Sequence, residues 1–272
     1  MKVLVTGGGG FIGSAICRAL MARGDQVTSY QRSASPELES LGARVIRGCI
    51  TDAGLLRESL DGVDAVIHTA AKAGLSVRYD DFYQPNVIGT GNVIAACLQN
   101  GIRKLVFTSS PSITHADGDI EGGDESLPYA DHYHSPYPAT KALSEQMVMA
   151  ANGPELHTVC LRPHLVWGPG DNHVLPNLIK RARGGTLKLP GPDKLIDTTY
   201  IDNAAQAHVL ALDRLVSAPG TVGGKTYFIS NDEPRSQGEI IGGLLKAAGL
   251  DVAIQAISPR IAITMGSIIE TA

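Results

Sequence analysis

A phenol and an ammonium stand four residues apart in Tyr137-Pro138-Ala139-Thr140-Lys141, so on a helix they lie one above the other on a single face. A free tyrosine titrates near ~10, too high to ionise readily at neutral pH. A neighbouring cation stabilises the phenolate and brings proton transfer within reach, which is the chemistry this spacing suits. Taken alone the pattern also fits an ordinary surface pair. The segment Lys104-Leu105-Val106-Phe107-Thr108-Ser109-Ser110 strengthens the chemical reading, because it is a strand-like apolar run that ends in hydroxyls. At the carboxyl edge of a parallel sheet, where ligands bind, Ser110 would hold a substrate carbonyl while Tyr137 protonates it.

The third chemical feature is Thr6-Gly7-Gly8-Gly9-Gly10-Phe11-Ile12-Gly13. Glycines at 7, 10 and 13 permit a tight turn, backbone approach to a pyrophosphate and close packing of helix on strand, and the helix N-terminus offers partial positive charge. Gly7, Gly10, Phe11, Ile12 and Gly13 are therefore the expected dinucleotide contacts. The second strand ends Ser29-Tyr30-Gln31-Arg32-Ser33 without the carboxylate that would bond a ribose 2′-hydroxyl. Arg32 can pair with a 2′-phosphate and Ser33 can hydrogen-bond it, so NADP(H) is favoured over NAD(H). The plainer alternative is a solvated Arg32.

These features need a scaffold, and the chain supplies one. Strand-like runs at 2–6, 26–30, 44–47, 64–68, 104–109 and 157–161 alternate with helical patterns at 11–23, 36–41, 52–60, 86–100 and 136–151. Six strands joined by five crossovers predict an α/β, Rossmann-type doubly wound parallel sheet over residues 1–162. Residues 163–272 read as a smaller C-terminal substrate-binding lobe with elements returning to the first domain: a helix at 174–183, a strand at 198–201, a helix at 202–215, a strand at 227–230, and a helix opened by the capping box Ser236-Gln237-Gly238-Glu239. Asp52 reads as a helix N-cap. The apolar stretch after Pro259, with Ile261, Ile263, Met265, Ile268 and Ile269, suits core or a lipid pocket and ends without a stop signal, so a longer C-terminus is expected.

Composition narrows the function classes. The net charge of −4 and 18% charged residues exclude a basic nucleic-acid surface and disorder. Cys17, Cys49, Cys97 and Cys160 form no Cys-x-x-Cys and read as unpaired thiols of a reducing compartment. No apolar run reaches the ~18 residues of a membrane span, and no metal is required; a cytoplasmic enzyme is expected.

In this order the glycine loop, the serine strand end and the Tyr-Lys helix resemble the extended short-chain dehydrogenases/reductases, the NAD-dependent epimerase/dehydratase family. Asp64-Ala65-Val66-Ile67-His68-Thr69-Ala70-Ala71, Asn86-Val87-Ile88-Gly89-Thr90-Gly91-Asn92 and Leu161-Arg162-Pro163 followed by Trp167-Gly168-Pro169 carry the likeness along the chain. The resemblance implies Ser110, Tyr137 and Lys141 as catalytic triad, Asn86 as support, and Ala70 and Pro163 as cofactor neighbours through their backbones. Cys49 stands where the family usually places an acid near the adenine amine. The segments 108–115, 167–173 and 199–208 resemble the 3β-hydroxysteroid dehydrogenase branch, and within it the bacterial 2-alkyl-3-oxoalkanoate reductases. That implies NADPH-dependent reduction of a lipid-like β-keto acid in long-chain olefin biosynthesis, by a homodimer formed through the helices at 86–100 and 136–151, with other pathway enzymes as candidate partners. The alternatives are a nucleotide-sugar epimerase, for which the family's diphosphate-binding arginine is missing around Asp197, a 3β-hydroxysteroid dehydrogenase, and a non-catalytic NADP sensor.

His132 and His134 flank Tyr133 and suggest a metal, but the sequence shows no third ligand, and solvated loop histidines are the plainer reading. His115 and His164 each follow a motif near the expected substrate position and could pair with a carboxylate or serve structurally.

Overall fold

The computed structural model describes residues 1–74, 78–172 and 174–258. The apolar tail from Ile261 to Ile269, and His173 at the end of one family-like segment, lie outside the described residues.

In chain order the strands are β1 (Lys2–Thr6), β2 (Gln26–Gln31), β3 (Arg44–Arg47), β4 (Ala65–His68), β5 (Lys104–Thr108), β6 (His157–Pro163), β7 (Leu165–Trp167), β8 (Thr186–Pro190), β9 (Leu195–Ile196), β10 (Thr198–Tyr200), β11 (Lys225–Ile229), β12 (Arg235–Ser236) and β13 (Ala253–Ile257). The helices are α1 (Phe11–Ala22), α2 (Pro36–Ser40), α3 (Ala53–Ser59), α4 (Tyr79–Tyr83), α5 (Gly89–Gln99), α6 (Pro136–Ala150), α7 (Val174–Ala182), α8 (Ile201–Ser217), α9 (Pro219–Val222) and α10 (Gln237–Ala247).

Among the described residues the main sheet has seven parallel strands in the order β11-β6-β5-β4-β1-β2-β3. The six strands expected from the alternating text are all present, and the seventh, β11, returns late in the chain to pair with β6 from Lys225↔Val159 to Ile229↔Pro163. Strand alternation divides the core. Leu4, Tyr30, Val66, Leu105, Phe107 and Cys160 join one cluster with Leu56 of α3, Val93 and Cys97 of α5 and Val148 of α6. Their neighbours Val5, Ile67 and Val106, equally buried, face the other side of the sheet. Helix α8 packs on α1 and against β5 and β6.

The helix expected to start at Asn86 starts earlier. α4 runs into a π-helical turn at Gln84–Ile88, which passes into α5. Pro85 sits within this continuous helical structure. Proline lacks the N–H and crowds the carbonyl one turn back, and a widened turn removes both conflicts. That turn places Asn86, 1% exposed, inside the molecule.

The described residues separate into two compact units, Met1–His164 with Ile201–Ile229, and Leu165–Tyr200 with 230–258. The second is built on β8 paired with β13, β7 with β10 and β9 with β12. Its core gathers Leu178 and Ala182 of α7, Leu187 and Leu189 of β8, and Ile241 and Leu245 of α10. No strand was expected at β7, β8, β9, β12 or β13: β7, β9 and β12 are two or three residues long and β13 is mostly exposed, while β8 does alternate, burying Leu187 and Leu189 around exposed Lys188, but over a single run of five residues. The Ser236–Glu239 capping box and the Asp52 cap on α3 are both present.

Candidate active site

The glycine loop leaves β1 at Thr6 and enters α1 at Phe11, with Gly10 as N-cap, no side-chain cap and no acidic residue in the first turn. The amides of Phe11, Ile12 and Gly13 therefore lack intrahelical acceptors. Gly7 has φ +70°, and a Cβ there would stand 2.8 Å from Cα of Ala70; at Gly13 it would stand 2.2 Å from the carbonyl oxygen of Gly7. These contacts require glycine for the turn's own closure and put the Ala70 backbone beside the loop. A backbone cradle at an uncapped helix N-terminus fits a pyrophosphate.

A buried hydrogen-bond chain ties this loop to the helix carrying Tyr137. The Ala70 N–H donates to Thr6 Oγ1 (3.3 Å), and Thr6 Oγ1 lies 2.6 Å from His68 Nδ1. His68 Nε2 is 3.0 Å from Thr90 Oγ1, which donates to the Asn86 carbonyl (2.5 Å). Because Thr90 spends its proton on a carbonyl, the pattern assigns His68 as neutral, protonated on Nε2 and accepting from Thr6 on Nδ1. Burial agrees, holding the His68 pKa down to about 3, with the Lys141 charge adding to the effect. Asn86 then completes the link. Its Oδ1 accepts from Lys72 N (2.7 Å), and its Nδ2 donates to Lys72 O (3.1 Å) and to Thr140 Oγ1 (3.0 Å) on α6.

Ser110, Tyr137 and Lys141 come together at the carboxyl end of β5. Ser110, two residues past that strand, caps a short 3₁₀ turn at Pro111–Thr114 and lies 2.8 Å from the Ser112 hydroxyl. Tyr137, in the first turn of α6, is half-buried; burial raises its pKa, and a hydrogen bond with Ser110 works in the opposite direction. The ring of Phe82 on α4 meets the Tyr137 ring edge-on at 6.5 Å. Lys141 lies one turn further along α6, only 2% exposed. Its Nζ donates to the Thr108 carbonyl at 2.6 Å and sits 4.1 Å from the centre of the Phe107 ring. Burial brings its pKa down to about 7, against the pull of Glu145, which favours the charged form. Lys141, expected to act on the phenol, has its ammonium held by a strand carbonyl.

Behind Lys141, Glu145 is fully buried and receives Arg162 on both oxygens, Nη2 to Oε1 at 2.5 Å and Nε to Oε2 at 3.1 Å. The Tyr129 hydroxyl donates to the same Oε1 (3.0 Å). On the opposite face Thr108 Oγ1 is 2.8 Å from His208 Nε2, and His208 Nδ1 donates to the Ala204 carbonyl (2.7 Å). Burial drives the His208 pKa to about 4. Pro163, at the end of β6, is buried and pairs in register with Ile229 of β11.

The far end of the sheet is open. Arg32, Arg47, Gly48 and Cys49 line a groove of about 460 Å³ at the ends of β2 and β3. Arg32, Ser33, Arg47 and Cys49 are exposed. The position of the missing carboxylate is taken by Gln31, whose Nε2 donates to Ser33 O (2.7 Å) and whose Oε1 accepts from Ser29 Oγ (2.5 Å). Thr51 Oγ1 donates to Cys49 Sγ at 3.0 Å, which together with Arg32 lowers the thiol pKa. All four cysteines are free. Arg47 escaped sequence reasoning because only the pairing of β3 with β2, Gln31↔Arg47 at its end, brings it to Arg32. Glu145 and Arg162 went unread for a related reason: they lie on a helix and a strand whose packing had to be seen.

The sequence profile of the 3-beta hydroxysteroid dehydrogenase/isomerase family matches residues 4–257. The 2-alkyl-3-oxoalkanoate reductase of Stenotrophomonas maltophilia is 51% identical over 99% of this chain and 82% of its own. The Shewanella oneidensis protein of the same name is 45% identical over 98% and 71%. Among solved structures, UDP-glucose 4-epimerase of Thermus thermophilus in complex with NAD superposes with a TM-score of 0.78 at 29% identity, covering 95% of this chain and 88% of that one.

Proposed function

This chain belongs to the 3-beta hydroxysteroid dehydrogenase/isomerase family and is a nicotinamide-dependent oxidoreductase, and we propose that it reduces the ketone of a 2-alkyl-3-oxoalkanoic acid with NADPH. The observation that carries the reading is that Ser110, the half-buried Tyr137 and the buried Lys141 gather at the carboxyl end of β5, with Lys141 Nζ held on the Thr108 carbonyl. Gly7, Gly10, Phe11, Ile12 and Gly13 would hold the pyrophosphate, with Ala70 and Pro163 contributing backbone. When bound, the cofactor supplies a hydride to the carbonyl carbon. Ser110 and Tyr137 donate hydrogen bonds to the ketone oxygen, and Tyr137 gives up its proton as alkoxide charge develops there. Lys141, held on the Thr108 carbonyl, presents its charge within one turn of the phenolate so formed and stabilises it through a low-dielectric interior. Positive charge favours product formation here, and Glu145 favours the charged form of Lys141 against the cost of its burial.

The preference for NADPH rests on the open groove. Two exposed guanidiniums, Arg32 and Arg47, with Ser33 and no carboxylate at the end of β2, suit a 2′-phosphate. The reading includes a lipid-like acid as substrate, a step in long-chain olefin biosynthesis, a cytoplasmic location and a homodimer through α5 and α6. Exposed Leu98 and Leu143 on those helices favour the dimer. No helix among the described residues is long and apolar enough to cross a membrane.

The deciding experiment follows loss of reduced-nicotinamide absorbance with purified protein and a 2-alkyl-3-oxoalkanoic acid, with NADH and a UDP-sugar in parallel. Ketoacid-dependent oxidation of NADPH in preference to NADH is the expected result. An inert ketoacid together with an isomerised UDP-sugar would overturn it.

A further inference from the structure

His132 and His134 lacked a third ligand in the sequence, and the fold provides one. Asp117 reaches both imidazoles, with Oδ2 2.9 Å from His132 Nε2 and Oδ1 2.9 Å from His134 Nε2. One donor atom from each of the three residues lies within 4.8 Å of the others, and all three are exposed. The rings of the two histidines stand edge to face at 5.1 Å. Tyr133 between them turns the other way: half-buried, it donates its hydroxyl to the Ile113 carbonyl at 2.8 Å, and the Ala130 amide bonds the same carbonyl at 3.0 Å. The histidines on either side of it are both exposed.

We infer that Asp117, His132 and His134 form a surface site for one divalent transition-metal ion of zinc type, apart from the reductase site. Two imidazoles and one carboxylate are ligands for a borderline cation, whereas magnesium and calcium select all-oxygen sites. Tetrahedral bonds of ~2.0–2.1 Å place donor atoms about 3.3 Å apart, so the present cluster needs only side-chain adjustment. On binding, the ion takes the place of the protons that now bridge each Nε2 to the carboxylate, and water completes the fourth position. The ion would tie the arm carrying Asp117 to the residue directly before Ser135, the N-cap of α6.

The test uses untagged full-length protein freed of metal by chelator, titrated with Zn²⁺ against a chromogenic competitor and, separately, with Co²⁺ in the visible. One equivalent of Zn²⁺ and tetrahedral Co²⁺ bands without a thiolate charge-transfer band are expected. His132→Gln/His134→Gln and Asp117→Asn should each weaken Zn²⁺ by about tenfold or more, in line with losses at known sites. Cys49→Ser, which removes the exposed thiol, should change nothing. Absence of saturable binding near one equivalent, or binding that survives in the double histidine variant, would overturn the assignment.

Discussion

The two ends of the sheet edge proposed to hold the cofactor, nicotinamide at one and adenosine at the other, are built on opposite plans. At the nicotinamide end the polar groups are buried and interlocked: Thr6, His68, Thr90 and Asn86 pass one hydrogen-bond chain to α6, and Glu145 with Arg162 closes it from behind. At the adenosine end Arg32 and Arg47 lie exposed along an open groove. Chemistry that depends on where a proton sits needs groups whose positions are over-determined, while discrimination by charge works through long flexible side chains in water. Perturbation should therefore be severe and cooperative at the first end and modest and ligand-specific at the second.

The largest effect expected is from Tyr137→Phe, which should lower kcat by about 10²–10⁴-fold, the usual worth of a general acid, with NADPH affinity nearly intact. Stopped-flow binding beside steady-state turnover checks it, and near-normal turnover would remove Tyr137 from the mechanism. Next, Glu145→Gln should cost about 3–5 kcal/mol by chemical denaturation, because Arg162, with a side chain 4% exposed, keeps its charge without a carboxylate. Glu145→Leu combined with Arg162→Met should recover much of that loss. If Glu145 also supports the Lys141 charge, the fall in kcat as pH rises through about 7 should move to lower pH in Glu145→Gln.

Acid should loosen the same end. His68 and His208 have folded pKa values held near 3 and 4, below the unfolded value of about 6.5. The unfolded chain then binds more protons between those limits, so stability is full above about 6.5 and declines as pH falls toward 4, by on the order of a few kcal/mol. Denaturation midpoints across that range provide the measurement; a flat profile would mean these rings charge in place.

Effects at the adenosine end should be smaller. Arg32→Ser with Arg47→Ser should raise the KM for NADPH about tenfold to a hundredfold and leave NADH unchanged, as for loss of charge-assisted bonds of about 1.5–3 kcal/mol. An equal loss for both cofactors would blunt the contrast between the two ends. The smallest change is Asp52→Ala, which removes the bond to Leu55 N and should cost about 1 kcal/mol in thermal unfolding with turnover unaffected.

What the sequence determined by itself is what local backbone geometry dictates. Gly7 needs positive φ, Gly13 has no room for a Cβ, and Asp52 and Ser236 each meet an amide three residues away, so type and spacing suffice to place them. Tyr137 and Lys141 were legible for the same reason, being one turn apart on a single helix. Only the tertiary structure decided their partners. Sheet order put Arg47 beside Arg32, the packing of α6 on β6 joined Glu145 to Arg162, and the widened turn at Pro85 carried Asn86 to Thr140. It also chose what Lys141 holds, a carbonyl on β5 that no helical spacing could reveal. Such contacts join residues distant in sequence. Their identity depends on which elements become neighbours, a property of the whole sheet that no short run of residues encodes.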